Sequence, residues 1–279
     1  MLWPLYGRAA EARRPGGVFR DENAVRIENG IAYDFKRSFG RPDLGHAIRA
    51  VAFDRELREW LCRHPNGQVV ALGEGLETQF YRLDNGLLRW LSVDLPEAIQ
   101  IRSHFIPDSA RHKNVAGSAL DLGWLEHLEP NRPVFITAAG LLMYFQPDEV
   151  RRLITGIAEA IPNAEIMFDV LPHWLSRKTV KGWNLTRHYR PPPMPWALNR
   201  NEVQSIREWH PNIAEVEQVR FPRGRGFAFR FLYPLILKLP WLKNKAPSLL
   251  HVYCRAVQSA KTKDAPPNQT SRKPSSTGA

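Results

Sequence analysis

Apolar and polar positions along the chain follow two periods, and the switches between them mark the elements. In DLGHAIRAVAFDRELREWLCRH, Ile48, Val51, Ala52, Leu57 and Leu61 recur at helical spacing, which predicts a helix over about residues 44–63. A shorter helix is expected from Tyr6 to Arg14. GQVVALG then reads as a short buried strand that ends on a glycine turn. LLRWLSVDLP is a second strand ending near Asp94, and Pro96 opens the next helix at a position that favours proline. KNVAGSAL and RPVFITAAG are the third and fourth strands, the latter with Pro133 at its edge. Val150, Leu153, Ile154, Ile157 and Ile161 share one face of an amphipathic helix in QPDEVRRLITGIAEAI. AEIMFDV is a fifth strand, and AEVEQVRF and LLHVYCRA supply two final ones.

Strands alternating with helices at this spacing predict an α/β class. The expected form is a doubly wound, mostly parallel seven-stranded sheet of Rossmann-like type, with an N-terminal helical extension. After Asp169 the pattern loosens into a segment rich in proline, tryptophan and basic residues, which predicts an inserted cap over about 171–198. NRNEVQSIREW is expected to be a helix capped by Asn199, with Glu202 three residues on. The apolar stretch FRFLYPLILKLPWLKNK is expected to pack on the sheet. One domain is expected over 1–257, followed by a disordered basic tail over 258–279. Ligands of such sheets sit outside the carboxyl ends of the strands, at the point where the strand order reverses.

Composition narrows the class only a little. The chain has 279 residues, 43% of them hydrophobic, and a formal net charge of +11. No arginine-rich run or basic–aromatic repeat marks a nucleic-acid surface, so no nucleic-acid partner is expected. The longest apolar run, Val134 to Phe145, is too short for a bilayer, so no stable membrane insertion is expected. Cys62 and Cys254 lack metal-type spacing, and the start carries no signal-peptide pattern; a reduced, cytoplasmic protein is expected.

The chemistry begins at Gly73-Glu74-Gly75. A strand feeding a Gly-x-Gly turn exposes backbone N–H groups to a ligand without a Cβ in the way, although a plain tight turn looks the same in sequence. Asp94 lies 21 positions after Gly73 at the end of the next strand, a distance that suits hydrogen bonds from ribose hydroxyls; the alternative is a helix cap before Pro96. The dinucleotide fingerprint needs a third glycine, and here that position is Thr78. Glu74 and Glu77 would repel a pyrophosphate. A cationic adenosine cofactor, S-adenosylmethionine, fits better than a nicotinamide dinucleotide. Asp121, just past the third strand, is placed to accept the adenine amine or to cap the short helix that follows.

HAIRAVAFDREL, LGEGLETQFYRL, VDLPEAIQIR, SALDLGWL and AAGLLMYFQPDEV occur in this order. As an ordered set they resemble the leucine carboxyl methyltransferase-like family, in the branch that includes polyketide O-methyltransferases. The resemblance runs over nearly the whole chain except the tail. It implies a class I methyltransferase fold in which Gly73, Glu74 and Gly75 line the methionine part of S-adenosylmethionine. It further implies Asp94 and Leu95 at the ribose, Asp121 and Leu122 at the adenine, Ala139 on the pocket wall, and Arg49 on the cofactor carboxylate. The chain departs from the family in three places. Glu77-Thr78-Gln79 replaces Asp-Thr-Arg, Ala139 replaces a glutamate, and Glu74 replaces a small residue. Glu74 is therefore expected to supply the charge that Ala139 lacks.

Methyl transfer from a sulfonium needs alignment and exclusion of water more than acid–base chemistry. A carboxylate acceptor needs no base, and a hydroxyl acceptor does. His173, His188 and Tyr189 in the cap are candidate bases, with Tyr144 shaping the acceptor pocket and Asp169 at the end of the fifth strand. Trp174, Trp183, Trp196 and Met194 are candidates for an apolar acceptor wall or for the cap's own core. Arg177, Lys178, Lys181, Arg187 and Arg190 favour an acidic acceptor. The reading is an O-methyltransferase acting on a carboxylate or hydroxyl of a small-molecule acceptor, possible polyketides included. The alternative is a cofactor-binding pseudoenzyme of the same fold. Oligomeric state is left open.

Overall fold

The structure is a computed structural model that describes residues 1–222, 224, 231 and 233–256. The expected tail over 258–279 lies outside the described residues, as does part of the apolar stretch over 229–245. The strands are β1 Gln68–Leu72, β2 Arg89–Asp94, β3 His112–Ala116, β4 Val134–Ala138, β5 Glu165–Val170, β6 Ile213–Val219 and β7 Ser248–Cys254. The helices are α1 Leu2–Ala12, α2 Glu22–Asn29, α3 Phe35–Phe39, α4 Leu44–Arg63, α5 Gln79–Leu83, α6 Pro96–Phe105, α7 Pro147–Ala160, α8 His173–Val180, α9 Tyr233–Lys238 and α10 Pro240–Lys243.

Among the described residues the seven strands form one sheet in the order β3-β2-β1-β4-β5-β7-β6. The first five are parallel, and β7 runs antiparallel between β5 and β6. The sheet is the doubly wound, mostly parallel one that the sequence predicts. Every residue of β1, β4 and β5 is buried, because helices cover both faces of a parallel sheet. Successive side chains alternate between those faces. Val70 and Leu72 join Ile136, Phe168 and the α7 stripe of Val150, Leu153, Ile154 and Ile157 on one side. Val69 and Ala71 join Phe135, Met167 and the α4 residues Phe53, Leu57 and Trp60 on the other.

The chain winds outward from β1 in one direction through β2 and β3, and in the other through β4 and β5. The crevice of such a sheet opens at the carboxyl ends of β1 and β4. The N-terminal extension closes it from above. Leu5 and Ala9 of α1 and Ala24 and Ile27 of α2 pack on Leu76, just past the glycine turn.

Two elements differ from their sequence reading. The first helix runs Leu2–Ala12, because α1 begins before Tyr6 and ends before the arginines. Residues Val203–Trp209 form a 3-10 turn rather than an α-helix. Glu202 there turns back to accept the Asn199 N–H at 2.7 Å. The cap has α8 at its start. It then runs extended past α3, where the Thr186 hydroxyl donates to the Ser38 carbonyl at 2.6 Å.

Candidate active site

The turn after β1 needs its glycines. Gly73 and Gly75 adopt φ of 61° and 55°, a region that strains other residues. A Cβ on Gly73 would lie 2.6 Å from Leu141 Cδ1, and one on Gly75 would lie 2.9 Å from Met1 Cβ. The Gly73 N–H donates to the Val93 carbonyl at 2.8 Å, so the turn is tied to β2. Asp94 completes the tie: its carboxylate accepts the Gly75 N–H and the Leu95 N–H, both at 2.8 Å. A carboxylate has about four acceptor sites, so two remain for ribose hydroxyls.

Glu74 corrects the expectation placed on it. Its backbone borders the cavity, but its carboxylate lies under the turn against β2. There it stands 2.9 Å from Arg102 Nη2, accepts the Trp90 indole N–H at 3.1 Å and accepts the Ser92 hydroxyl. Burial raises its pKa, against the opposing pull of Arg102, Ser92 and Trp90. Arg102 is itself fully buried and also donates to the Gly75 and Glu77 carbonyls at 2.8 Å. The carboxylate at position 74 is thus engaged in holding the turn.

Glu77 and Gln79 are likewise engaged. Glu77 bridges Arg8 of α1 and Arg82 of α5, each at 2.8 Å. Burial alone would raise the Glu77 carboxyl; Arg8 and Arg82 overcome that and hold it at about 2. Gln79 donates to Asp54 at 3.0 Å, and Arg82 pairs with Asp54, Asp21 and Glu77 together. The guanidinium missing at position 79 has its counterpart one turn later, at Arg82.

Above the turn lies a cavity of about 900 Å³, at the upper end of the range for small-molecule sites. It is lined by Arg49, Gly73, Glu74, Gly75, Asp94 and Ala139 of the expected cofactor set. Leu95, Asp121 and Leu122 are outside that lining. Leu95 is exposed beside Asp94, Asp121 caps a 3-10 turn through the Gly123 N–H, and Leu122 packs on the core. Arg49 Nη1 donates to Asp169 Oδ2 at 2.9 Å, and Asp169 Oδ1 accepts the Gly140 N–H at 2.5 Å. A Cβ on Gly140 would lie 2.6 Å from Arg49 Nη1, so glycine there admits the guanidinium. Burial disfavours the charged Arg49, but Asp169 more than reverses this and its pKa is raised.

Of the candidate catalytic residues, Tyr144, Tyr189 and Asp169 border the cavity. Tyr144 is the more perturbed of the two tyrosines. Burial, then Tyr189, pushes its phenol up to about 12. His173 pairs with Glu202 at 2.8 Å and His188 accepts from Arg187 at 2.9 Å; neither is in the cavity lining. His173 thus turns to a partner just past the cap, and His188 to one within it. Trp183 and Met194 line the cavity, while Trp174 is exposed on the Lys245 carbonyl and Trp196 is buried against Phe168. Of the cap's expected basic set, none lines the cavity.

The rest of the wall comes from the N-terminal extension, which sequence reasoning left out. Trp3, Tyr33 and Phe39, with His46 at the start of α4, line the cavity together with Tyr189 and Trp183. Trp3 meets the His46 ring edge-on at 4.9 Å, and Phe39 meets Tyr189 edge-on at 4.8 Å. His46 is the one histidine of the lining, and its buried Nε2 has no hydrogen-bond partner among the described residues. Burial first, then Arg49 and Arg8, hold its pKa well below the usual value. Arg102 was findable in the sequence: it falls on the buried stripe of α6, three residues after Ile99 and four before Ile106. His46 carried no such signal.

These residues fit S-adenosylmethionine. Asp94 has acceptor sites left, and Arg49 has one terminal nitrogen without a partner among the described residues.

The comparisons with known proteins give the family and the fold. The family described as leucine carboxyl methyltransferase matches residues 2–158. The chain is 30% identical over 183 residues to the tetracenomycin polyketide synthesis O-methyltransferase TcmP of Streptomyces glaucescens, covering 63% of this chain and 67% of that protein. It is 33% identical over 148 residues to a Mycolicibacterium gilvum (strain PYR-GCK) protein described as an S-adenosyl-L-methionine-dependent methyltransferase. That match covers 48% of this chain and 49% of the relative, so the chain spans about half of the latter. Among solved structures, the CurJ carbon methyltransferase superposes with a TM-score of 0.51 at 11% identity, covering 90% of this chain and 66% of that one. The plantazolicin methyltransferase BamL, in complex with a triazolic desmethylPZN analog and SAH, superposes with a TM-score of 0.51 at 10% identity, covering 90% and 95%. At such identities the superpositions speak to the fold.

Proposed function

The chain belongs to the leucine carboxyl methyltransferase family and is an S-adenosylmethionine-dependent methyltransferase, and from that premise we propose that it methylates a hydroxyl or carboxylate oxygen of a small, ring-bearing metabolite. The observation that carries the acceptor class is the wall of Trp3, Tyr33, Phe39, Tyr189 and Trp183 around the cavity above the glycine turn. Aromatic faces and edges at 4.5–7 Å favour a flat apolar guest. The similarity to a polyketide O-methyltransferase supports the same class.

When bound, the cofactor supplies an electrophilic methyl group. The chain aligns and desolvates the acceptor oxygen. A carboxylate acceptor needs no further help. For a hydroxyl acceptor, His46, the histidine of the cavity wall, takes the proton, against the burial, Arg49 and Arg8 that disfavour its charged form. Tyr144, with its phenol at about 12, stays protonated near neutral pH and orients the acceptor as a hydrogen-bond donor.

Both turnover and binding alone are served by the loop, in which Glu74, Glu77 and Gln79 have buried partners that hold it in place. The test is transfer of tritiated methyl from S-adenosylmethionine to a panel of phenols, aromatic carboxylates and aliphatic acids. Label on the aromatic members supports the reading. Binding of S-adenosylhomocysteine without transfer to any panel member, or to any component of a host-cell extract, would establish the binding-only alternative.

A further inference from the structure

The amino-acid end of the cofactor carries an ammonium and a carboxylate, and both charges need partners once water is excluded. Arg49 meets the second need. The first has no obvious partner, because position 139, at the end of β4, is an alanine.

Five carboxylates border the cavity: Asp43, Glu74, Glu77, Asp94 and Asp169. Asp43 is exposed, so water already serves it, and it caps α4 through the Gly45 N–H at 2.8 Å. Glu74 is drawn under the turn by Arg102, and Glu77 is held between Arg8 and Arg82. Asp94 holds Gly75 and Leu95. Asp169 remains. It ends β5, and the parallel pairing of Ala138 with Phe168 sets it beside Ala139. Its side chain is 12% exposed, so it is desolvated yet open to the cavity. Each of its oxygens accepts one bond, from Gly140 and from Arg49, leaving one further site on each.

We propose that Asp169 is the carboxylate that receives the cofactor's α-ammonium, so that the Arg49–Asp169 pair binds the zwitterion as a complementary pair. Ala139, in the same lining, carries no carboxylate to compete for the ammonium. The inference rests on S-adenosylmethionine occupying this cavity, and it is independent of the acceptor.

The test is calorimetric binding by the full chain of three ligands: S-adenosylhomocysteine, its analogue lacking the α-amino group, and its analogue lacking the α-carboxylate. The wild type should prefer S-adenosylhomocysteine to the deaminated analogue by about tenfold or more, as expected for a charge-assisted bond. Asp169→Asn should reduce that preference to about twofold while keeping the preference for the carboxylate. Ala139→Glu combined with Asp169→Asn should restore it, since a carboxylate returns to the same space. A wild type that binds the deaminated analogue as tightly as S-adenosylhomocysteine overturns the proposal without recourse to any variant. So does an Asp169→Asn variant that retains full discrimination, or one that loses affinity for all three ligands by the same factor, which would mark a purely structural clamp. No binding of S-adenosylhomocysteine by the folded wild type would instead remove the cofactor premise itself.

Discussion

The carboxylate of Glu74 stands 2.9 Å from the guanidinium of Arg102, beneath the glycine turn and against β2. Both side chains are nearly inaccessible, at 4% and 0% exposure, and Arg102 also holds the carbonyls on either side of Leu76. An acid in the cofactor loop thereby serves the loop's shape.

Glu74→Ala is therefore expected to act first on stability. Removing one partner of a buried pair costs about 3–5 kcal/mol, because the other charge is stranded. Thermal unfolding should show a fall in Tm of several degrees, with weaker cofactor binding following from the loosened turn. An unchanged Tm would contradict the assignment.

His46→Gln should lower kcat for a hydroxyl acceptor by about 10²–10⁴-fold and leave a carboxylate acceptor within a few-fold. Because burial, Arg49 and Arg8 depress the His46 pKa, the wild-type rate on a hydroxyl acceptor should not decline between pH 8 and 6.5 through protonation of this ring. A decline centred near 6.5 that disappears in His46→Gln would show a histidine with an ordinary pKa.

Trp183→Ala should raise KM for an aromatic acceptor about tenfold or more, in line with about 1–3 kcal/mol for lost apolar contact in a pocket. Trp174→Ala, at an exposed position outside the cavity, should leave KM unchanged. Equal effects from the two would move the acceptor site out of this cavity.

On the far side of α4, His251 is 2.9 Å from Glu165 and 3.9 Å from Glu56, stacked on Tyr253. Burial disfavours the imidazolium, but the two carboxylates outweigh it and raise the His251 pKa. The stability it contributes is complete below its unfolded value of about 6.5 and is lost as pH rises through the higher folded value. Glu56 and Glu165 have lowered pKa values, so their share is present above about 4.3 and is lost on acidification. Stability from this cluster should therefore peak between about pH 5 and 6.5. Tm measured against pH should decline above neutrality more steeply in the wild type than in His251→Gln; parallel curves would refute the coupling.

The sequence by itself determined the sheet and its helices, because hydrophobic periodicity is a local property that each segment carries. Ile48 to Leu61 locates α4, the apolar runs Val69–Leu72 and Val134–Ile136 declare burial on both faces, and the glycine turn after β1 marks the carboxyl end of the sheet. The tertiary structure decided where charged side chains point. Arg49 and Asp169 are 120 positions apart, and Arg8 reaches Glu77 from another helix. Nothing in spacing along the chain encodes such pairings. Glu74 turns under the loop because the stripe of α6 brings Arg102 there, and His173 and His188 are engaged by Glu202, just past the cap, and by Arg187. Backbone shape follows from near neighbours. The direction of a charge depends on which opposite charge folding brings within a few ångströms, since a buried ion left without one is too costly to keep.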